Sequence, residues 1–118
     1  MTEITVLHYQ TVEGRLPYRE WVESISDKKV RAAVLARVDR LAFGAFGDWK
    51  SAGGGVFELR VHLGPGYRVY FGRDGSAAVI LLYGGHKGSQ DSDIKRAKNY
   101  WKDYETRTKA RTAGRSAR

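Results

Sequence analysis

The chain has 118 residues, a length that suits one compact domain with a single core and is too short for two. Hydrophobic residues make up 42% of it, including three Trp, seven Tyr and four Phe, so we expect a folded domain rather than a disordered one. The absence of cysteine excludes disulfides and thiolate metal sites. A formal net charge of +8 favours a polyanionic partner, either a nucleic acid or an acidic protein.

The amino terminus predicts the location of the protein. Its first ten residues lack the basic and apolar segments of a secretory signal. The longest apolar run, residues 77–83, is far too short for a membrane-spanning helix. We therefore expect a soluble, cytoplasmic protein without a membrane partner.

The first half of the chain predicts one strand and two helices. Residues 4–9 alternate loosely and indicate a strand. A short amphipathic helix follows near Pro17, and Asp27 is placed to cap a second helix that ends at Gly44. With so short a joint, the two helices should form a helical hairpin. The glycine-rich residues 44–55 are predicted to be a loop.

From position 56 on, hydrophobic residues recur at every second position, which is the spacing of a β-strand. Residues 56–63 indicate a strand with Glu58, Arg60 and His62 on one face, and a turn at 64–66 leads into a return strand from Tyr67. Residues 77–83 indicate a central strand that is buried on both faces, and a last helix follows Ser89.

The predicted order β-α-α-β-β-β-α defines the fold class. It describes an α+β domain with a small, mostly antiparallel sheet, a helical hairpin on one face and a C-terminal helix. We place this domain at residues 1–105. Residues 106–118 are small or basic for the most part and are predicted to form a disordered tail.

Polar residues gather on the predicted hairpin and just after the last strand. If the three strands are neighbours, these side chains meet on one surface. Taken singly, each is more often part of a solvated face or a structural residue, so the combination is what indicates a site. The three His residues have no metal-ligand spacing, and neither a phosphate loop nor a nucleophile elbow is present, so we expect no metal and no cofactor. The residues that gather are Glu58, Arg60, His62, Arg68, Tyr70, His86, Lys87, Ser89 and Gln90.

Several segments of this region resemble the addiction-module killer proteins, a HigB-like branch of the RelE/ParE toxin superfamily. They are FELR at 57–60, GPGYRVYF at 64–71, and GGHKGSQ at 84–90 followed by Asp93 and Ile94. The segment GDWK at 47–50 also matches the loop that precedes the second strand in that family. The resemblance covers residues 3–104, and the set of motifs is specific although the single pieces are not.

The resemblance implies a microbial-ribonuclease-like fold with two helices on one sheet face and an RNA site on the other. It implies the toxin of a type II toxin–antitoxin system, a metal-independent endoribonuclease that cuts messenger RNA in the ribosomal A site. It also implies a neutralising antitoxin, often a small helix-turn-helix protein. The toxin would contact operator DNA only indirectly, through this antitoxin.

The same resemblance assigns roles to individual residues. Arg68 matches the arginine after the hairpin turn, Arg60 approximates a basic residue on the preceding strand, and Lys87 matches a basic residue beyond the last strand. RelE-type members have a catalytic Tyr in the following segment, whereas this chain has Asp93 near that position. The identity of the acid and the base is therefore open.

Strand scission by a 2′-hydroxyl builds negative charge on the phosphoryl oxygens. Arg60, Arg68 and Lys87 could stabilise that charge, at about 3 kcal/mol for each well-placed donor. An arginine stays protonated and is a poor base, so the proton would pass to another group, of which we favour His86 or Lys87. The full set of candidate bases is Glu58, His62, His86 and Lys87.

The remaining candidate residues would bind the substrate. Tyr70 could stack on a base or donate to a phosphate, and Lys50 together with the basic second helix would hold ribosomal RNA. Glu58, His62 and Gln90 complete this expected substrate-binding set.

Two other functions stay open. A ParE-like toxin that inhibits DNA gyrase shares the fold, but it usually lacks the set of basic residues that Arg60, Arg68 and Lys87 form here. The third possibility is a non-catalytic RNA- or protein-binding relative.

Overall fold

The computed structural model describes residues 3–116, and the surroundings of side chains for residues 3–111. Two short 3₁₀ turns, Arg40–Phe43 and Lys87–Ser89, follow the second helix and precede the third. No helix in the described part is long and apolar enough to cross a membrane. The elements in chain order are β1 (Thr5–His8), α1 (Pro17–Ser24), α2 (Lys28–Asp39), β2 (Trp49–Gly53), β3 (Val56–Val61), β4 (Tyr67–Asp74), β5 (Ala78–His86) and α3 (Gln90–Ser116).

The strands form one five-stranded mixed sheet in the order β1-β5-β4-β3-β2. β1 runs parallel to β5, and the other three pairings are antiparallel. The predicted α+β class with a mostly antiparallel sheet and a C-terminal helix is therefore confirmed. The central position of β5 is confirmed as well, since residues 79–82 are all buried.

The loop predicted for residues 44–55 is wrong in its second half. Residues 49–53 form β2, which pairs with β3 so that Trp49 lies opposite Leu59 and Lys50 lies opposite Glu58. Gly53, Gly54 and Gly55 all have positive φ and make the turn between the two strands. The glycines that indicated a loop are thus the connection of a hairpin, and the order of elements is β-α-α-β-β-β-β-α.

The sheet separates two cores. On one face α1, α2 and the 3₁₀ turn after α2 bury Tyr18, Val34 and Leu41 against the sheet residues Leu59 and Phe71. On the other face α3 buries Ala97 and Trp101 against a second set of sheet residues: Val56, Tyr70, Ile80 and Leu82. By alternation along β3, Glu58 and Arg60 lie on the α3 face. They lie toward the end of that face where α3 begins.

Two glycines let α3 approach the sheet closely at Trp101. A Cβ atom on Gly72 would lie 2.3 Å from the indole Cε3, and one on Gly55 would lie 2.5 Å from the indole Nε1. Neither distance is possible for a real side chain, so the indole ring occupies the space that the missing side chains leave. Trp101, which is 6% exposed, therefore fixes the position of α3 on the sheet.

The structure differs from the predicted tail. α3 continues through Ser116, so residues 106–116 are helical, while residues 117–118 lie outside the described part. Lys, Arg and Ala are good helix formers, which favours this extension. Arg107 also anchors it, because Nη2 donates to Asp103 Oδ2 at 2.7 Å and to the backbone carbonyl of Gln10.

The predicted cap of α2 is present. Asp27 Oδ1 accepts hydrogen bonds from the backbone N–H groups of Lys29 at 2.9 Å and Val30 at 3.3 Å. We expect Asp27→Ala to lower the free energy of unfolding by about 1 kcal/mol because two helical N–H groups lose their acceptor. Urea unfolding followed by circular dichroism measures the change. Asp27→Asn, which still accepts these bonds, is the control and should stay close to wild type.

Candidate functional site

The candidate site centres on Glu58, whose side chain is 1% exposed in the middle of β3. Arg68 Nε donates to Glu58 Oε2 at 2.7 Å, and Arg60 Nε lies 3.7 Å from the same oxygen. Lys50 Nζ lies 3.8 Å from Glu58 Oε1. A buried carboxylate is costly unless cations and donors surround it. Three cations therefore surround Glu58, and of the three only Arg68 donates a hydrogen bond to it. We call Glu58 together with Lys50, Arg60 and Arg68 the Glu58 cluster.

The strand register explains why these residues meet. Lys50 and Tyr70 are the direct neighbours of Glu58 on β2 and β4, and Arg60 lies opposite Arg68. Residues at paired positions or two apart on neighbouring strands share a face and lie within reach of one another. The convergence predicted from alternation is thus found for Glu58, Arg60 and Arg68.

The beginning of α3 closes one side of the cluster. Gln90, the first residue of α3, places Nε2 at 3.4 Å and 3.5 Å from the two carboxylate oxygens of Glu58. Gln90 thus touches the residue that organises the cations, and its predicted role in substrate binding stays a prediction.

Tyr70 lies beside Glu58, and its position does not suit the stacking on a base that was predicted for it. Its side chain is 0% exposed, so in this structure the ring has no face on which a base could stack. The phenol oxygen is buried without a hydrogen-bond partner among the described residues. Burial raises the pKa of Tyr70, and the charge of Glu58 raises it further, so the phenol stays protonated.

An open cavity of about 440 Å³ adjoins Arg68 at the turn between β3 and β4. Lys87 and His62 line it together with the turn residues, and the Lys87 backbone N–H donates to the Gly66 carbonyl at 3.2 Å. Lys87 is exposed, whereas the Arg68 side chain is only 14% exposed. The cavity therefore has one cation that is held in place, Arg68, and one that can move, Lys87.

His86 caps the 3₁₀ turn that follows β5. Its Nδ1 accepts a hydrogen bond from the Gly88 backbone N–H at 3.0 Å. We assign the neutral tautomer from this bond: when Nδ1 accepts, the ring proton is on Nε2. His86 in this state can donate a hydrogen bond from Nε2 but cannot accept a proton there, which argues against it as the base.

His62 lies just after β3 and is paired rather than free. Its Nε2 is in hydrogen-bond contact with Asp48 Oδ2. That bond is the largest cause of a lowered pKa of the Asp48 carboxyl group, and the charge of Arg60 contributes as well. The His62 side chain is mostly exposed, and it lies between the cavity near Lys87 and a second cavity next to α2.

Sequence reasoning missed how far Asp93 is buried. Asp93 is 7% exposed and accepts a hydrogen bond from the Ser89 hydroxyl group. A Cβ atom on Gly85 would lie 1.8 Å from Asp93 Oδ2, so only glycine leaves room for this carboxylate against β5. The signal in the sequence was the glycine pair at 84–85 inside a strand, since a glycine there often marks a close approach.

Sequence reasoning also missed Asp48 and Arg37 as members of a charged group. Asp48 was considered only as part of the GDWK segment, and Arg37 was considered only as one of the basic residues of the second helix. Their neighbourhood is created by packing of α2 beside the end of β3, which no local pattern records.

The described fold and charge cluster define an α+β domain with cations held by a buried carboxylate. No established protein-family profile matches the chain. An uncharacterized protein of Haemophilus influenzae is 45% identical over 87 residues, which cover 74% of this chain and 88% of that protein. The chain belongs to the same protein family as this Haemophilus protein.

Proposed function

We propose that the chain is the toxin of a type II toxin–antitoxin system, similar to the HigB-like addiction-module killers, and that it cuts messenger RNA on the ribosome. The observation that carries this proposal is the Glu58 cluster beside the cavity that Lys87 lines. Arg68 is held at 2.7 Å by the buried carboxylate, and Lys87 faces it from the far side of the hairpin turn. The sequence segments that resemble the killer proteins supply these same residues.

The chemistry that suits such a site is phosphoryl transfer within RNA. The 2′-hydroxyl oxygen attacks the neighbouring phosphorus, the bond to the 5′ oxygen breaks, and the products are a 2′,3′-cyclic phosphate and a 5′-hydroxyl group. Arg68 and Lys87 would donate to the non-bridging oxygens as charge develops, at about 3 kcal/mol for each well-placed donor. Because Glu58 holds Arg68 before the substrate arrives, little reorganisation would be needed at that moment.

The structure narrows the choice of acid and base within this proposal. Glu58 is buried and occupied by cations, so we assign it a positioning role. His86, with its proton on Nε2, would donate a hydrogen bond to the leaving 5′ oxygen, and Lys87 would act as a cationic donor to the phosphoryl oxygens. The proton of the 2′-hydroxyl group would then pass to the leaving 5′ oxygen through water in the open cavity. This assignment differs from the earlier expectation that His86 or Lys87 would be the base.

The same proposal includes partners and location. A cognate antitoxin, a helix-turn-helix protein in our expectation, would neutralise the toxin in the cytoplasm and would connect it to operator DNA. The 70S ribosome and messenger RNA are the expected targets, which the net charge of +8 favours through salt-dependent attraction to phosphates.

We expect Lys87→Ala to reduce RNA cleavage by about 100-fold, because one donor to the phosphoryl oxygens is lost, while the fold is unchanged. The measurement is mapping of messenger RNA 5′ ends shortly after tightly controlled induction in cells. Lys102→Ala is the matched control, since Lys102 is an exposed lysine of α3 that does not line the cavity of Lys87.

The outcomes separate the candidate functions. New 5′ ends within translated codons for wild type and Lys102→Ala, but not for Lys87→Ala, would support the nuclease. Growth arrest by the wild type without new 5′ ends would contradict it and favour a gyrase inhibitor. Unchanged cutting by Lys87→Ala would remove Lys87 from the mechanism.

A further inference from the structure

A second cavity, of about 480 Å³, lies between α2 and the end of β3. Among the described residues that line it, four are basic and one is acidic: Arg37, Arg40, Arg60, His62 and Asp48. His62, Arg60 and Arg37 all lower the pKa of the Asp48 carboxyl group, and Arg40 adds a fourth basic side chain to the lining. This excess of positive charge in a concave surface is what an anionic ligand requires.

Arg37 of α2 and Arg40 of the following 3₁₀ turn lie close enough to repel each other. Arg37 Nη2 donates to the Phe46 carbonyl at 2.5 Å, which fixes its guanidinium group at the cavity wall. Burial lowers the pKa of Arg37, and the neighbouring charge of Arg40 lowers it further, while Asp48 has the opposite effect. A second anion in the cavity would relieve this repulsion.

The Asp48 carboxylate behaves as an anion that is already in place. It contacts His62, and Arg60, His62 and Arg37 all stabilise its charged form. Its side chain is 45% exposed, so it lies on the wall and can move out into solvent. The backbone contact at this position, Arg60 N–H to the Asp48 carbonyl at 2.9 Å, does not depend on the side chain.

This cavity continues into the candidate site. It shares His62 and Leu63 with the cavity that Lys87 and Arg68 line. Arg60 belongs to the second cavity and to the Glu58 cluster at the same time. One extended RNA strand could therefore contact both cavities.

We propose that the second cavity binds a phosphate group of the RNA strand that is cut, and that the Asp48 carboxylate occupies the phosphate position until the RNA displaces it. The proposal rests on the proposed nuclease function for the identity of the ligand. Planar guanidinium groups bind phosphate through paired hydrogen bonds, and Arg37, Arg40 and Arg60 supply them here. The exposed Asp48–His62 pair is weak enough to be exchanged.

The first experiment tests the anion site without RNA. The full chain is titrated with inorganic phosphate while the arginine Nε–H signals are followed by NMR. We expect Asp48→Asn to bind phosphate about threefold to fivefold more tightly than wild type, which is the change that one exposed ion pair is worth. Glu105→Gln makes the same change of net charge at an exposed site on α3 and should match wild type. Equal affinity of Asp48→Asn and Glu105→Gln would overturn the proposal.

The second experiment tests the ligand. A 2′-O-methyl RNA octamer, which cannot be cut, is bound to Asp48→Asn, Arg40→Gln and wild type at several salt concentrations, with fluorescence anisotropy as the readout. Arg40→Gln should bind more weakly and lower the salt slope by about 0.7, the value for one phosphate of a single strand. Arg19→Gln, an exposed arginine of α1, is the matched control and should leave both quantities unchanged.

The two experiments distinguish the possible failures. If Arg40→Gln binds the octamer like wild type but loses affinity for 70S ribosomes, the phosphate belongs to ribosomal RNA, and the assignment to the cut strand is wrong. If Asp48→Asn binds phosphate more tightly but the wild type produces no new RNA ends in cells, the anion site stands and the proposed nuclease fails.

Discussion

We expect Arg68→Ala to lower the free energy of unfolding by about 3 kcal/mol, because it leaves a buried carboxylate without its nearest cation. Glu58 is 1% exposed and cannot turn to water, and the other cations lie farther away than Arg68, at 3.7 Å for Arg60 and 3.8 Å for Lys50. Urea unfolding followed by circular dichroism measures the loss. RNA cleavage should disappear in the same variant, since Arg68 is the best-positioned donor of the site.

A second variant separates the two effects. Glu58→Gln combined with Arg68→Ala removes the unpaired charge and should recover about half of the lost stability, while cleavage stays absent. If the double variant is as unstable as Arg68→Ala, the buried charge is not the reason for the instability. If it regains cleavage, Arg68 is not part of the chemistry.

Trp101→Ala should be the most destabilising single change, with a loss of about 4 kcal/mol. The indole ring fills the space that Gly55 and Gly72 leave open, and the two glycines have no side chains that could refill it. Trp49→Ala is the matched control: Trp49 is 41% exposed at the edge strand β2, so its loss should cost about 1 kcal/mol. Urea unfolding of both variants gives the comparison.

The Trp101 variant also tests how the site is assembled. α3 places Gln90 against Glu58 and Asp93 against Gly85. Weaker packing of α3 on the sheet should therefore lower RNA cleavage, although Trp101 touches none of these residues. A Trp101→Ala protein within 1 kcal/mol of wild type would contradict the view that this packing holds α3 on the sheet.

Strong local patterns made much of the fold predictable. The period of two from position 56 places β3, β4 and β5, and Asp27 and Pro17 mark the helix starts as expected. β2 escaped prediction because its sequence, WKSAG, has no alternation and ends in glycine. Its strand conformation comes from pairing with β3, which is a property of the sheet and not of the segment.

The candidate site was also predictable only in part. Alternation and the hairpin turn suffice to bring Glu58, Arg60 and Arg68 to one face. They do not reveal that Glu58 and Tyr70 are buried, because α3 supplies the cover and lies more than 20 residues farther along the chain. The charged cavity of Arg37 and Asp48 depends on packing between distant elements in the same way.

The parallel pairing of β1 has a consequence for the order of folding. Thr5 lies beside Ala78, Tyr9 donates to Asp103 at 2.6 Å, and Arg107 reaches Gln10 across 97 positions of sequence. The antiparallel strands β2 to β5 join neighbours in the chain and can assemble early, whereas β1 must wait for its partner. During synthesis, β1 therefore leaves the ribosome well before β5, the strand with which it pairs, and the native topology closes only when α3 has emerged.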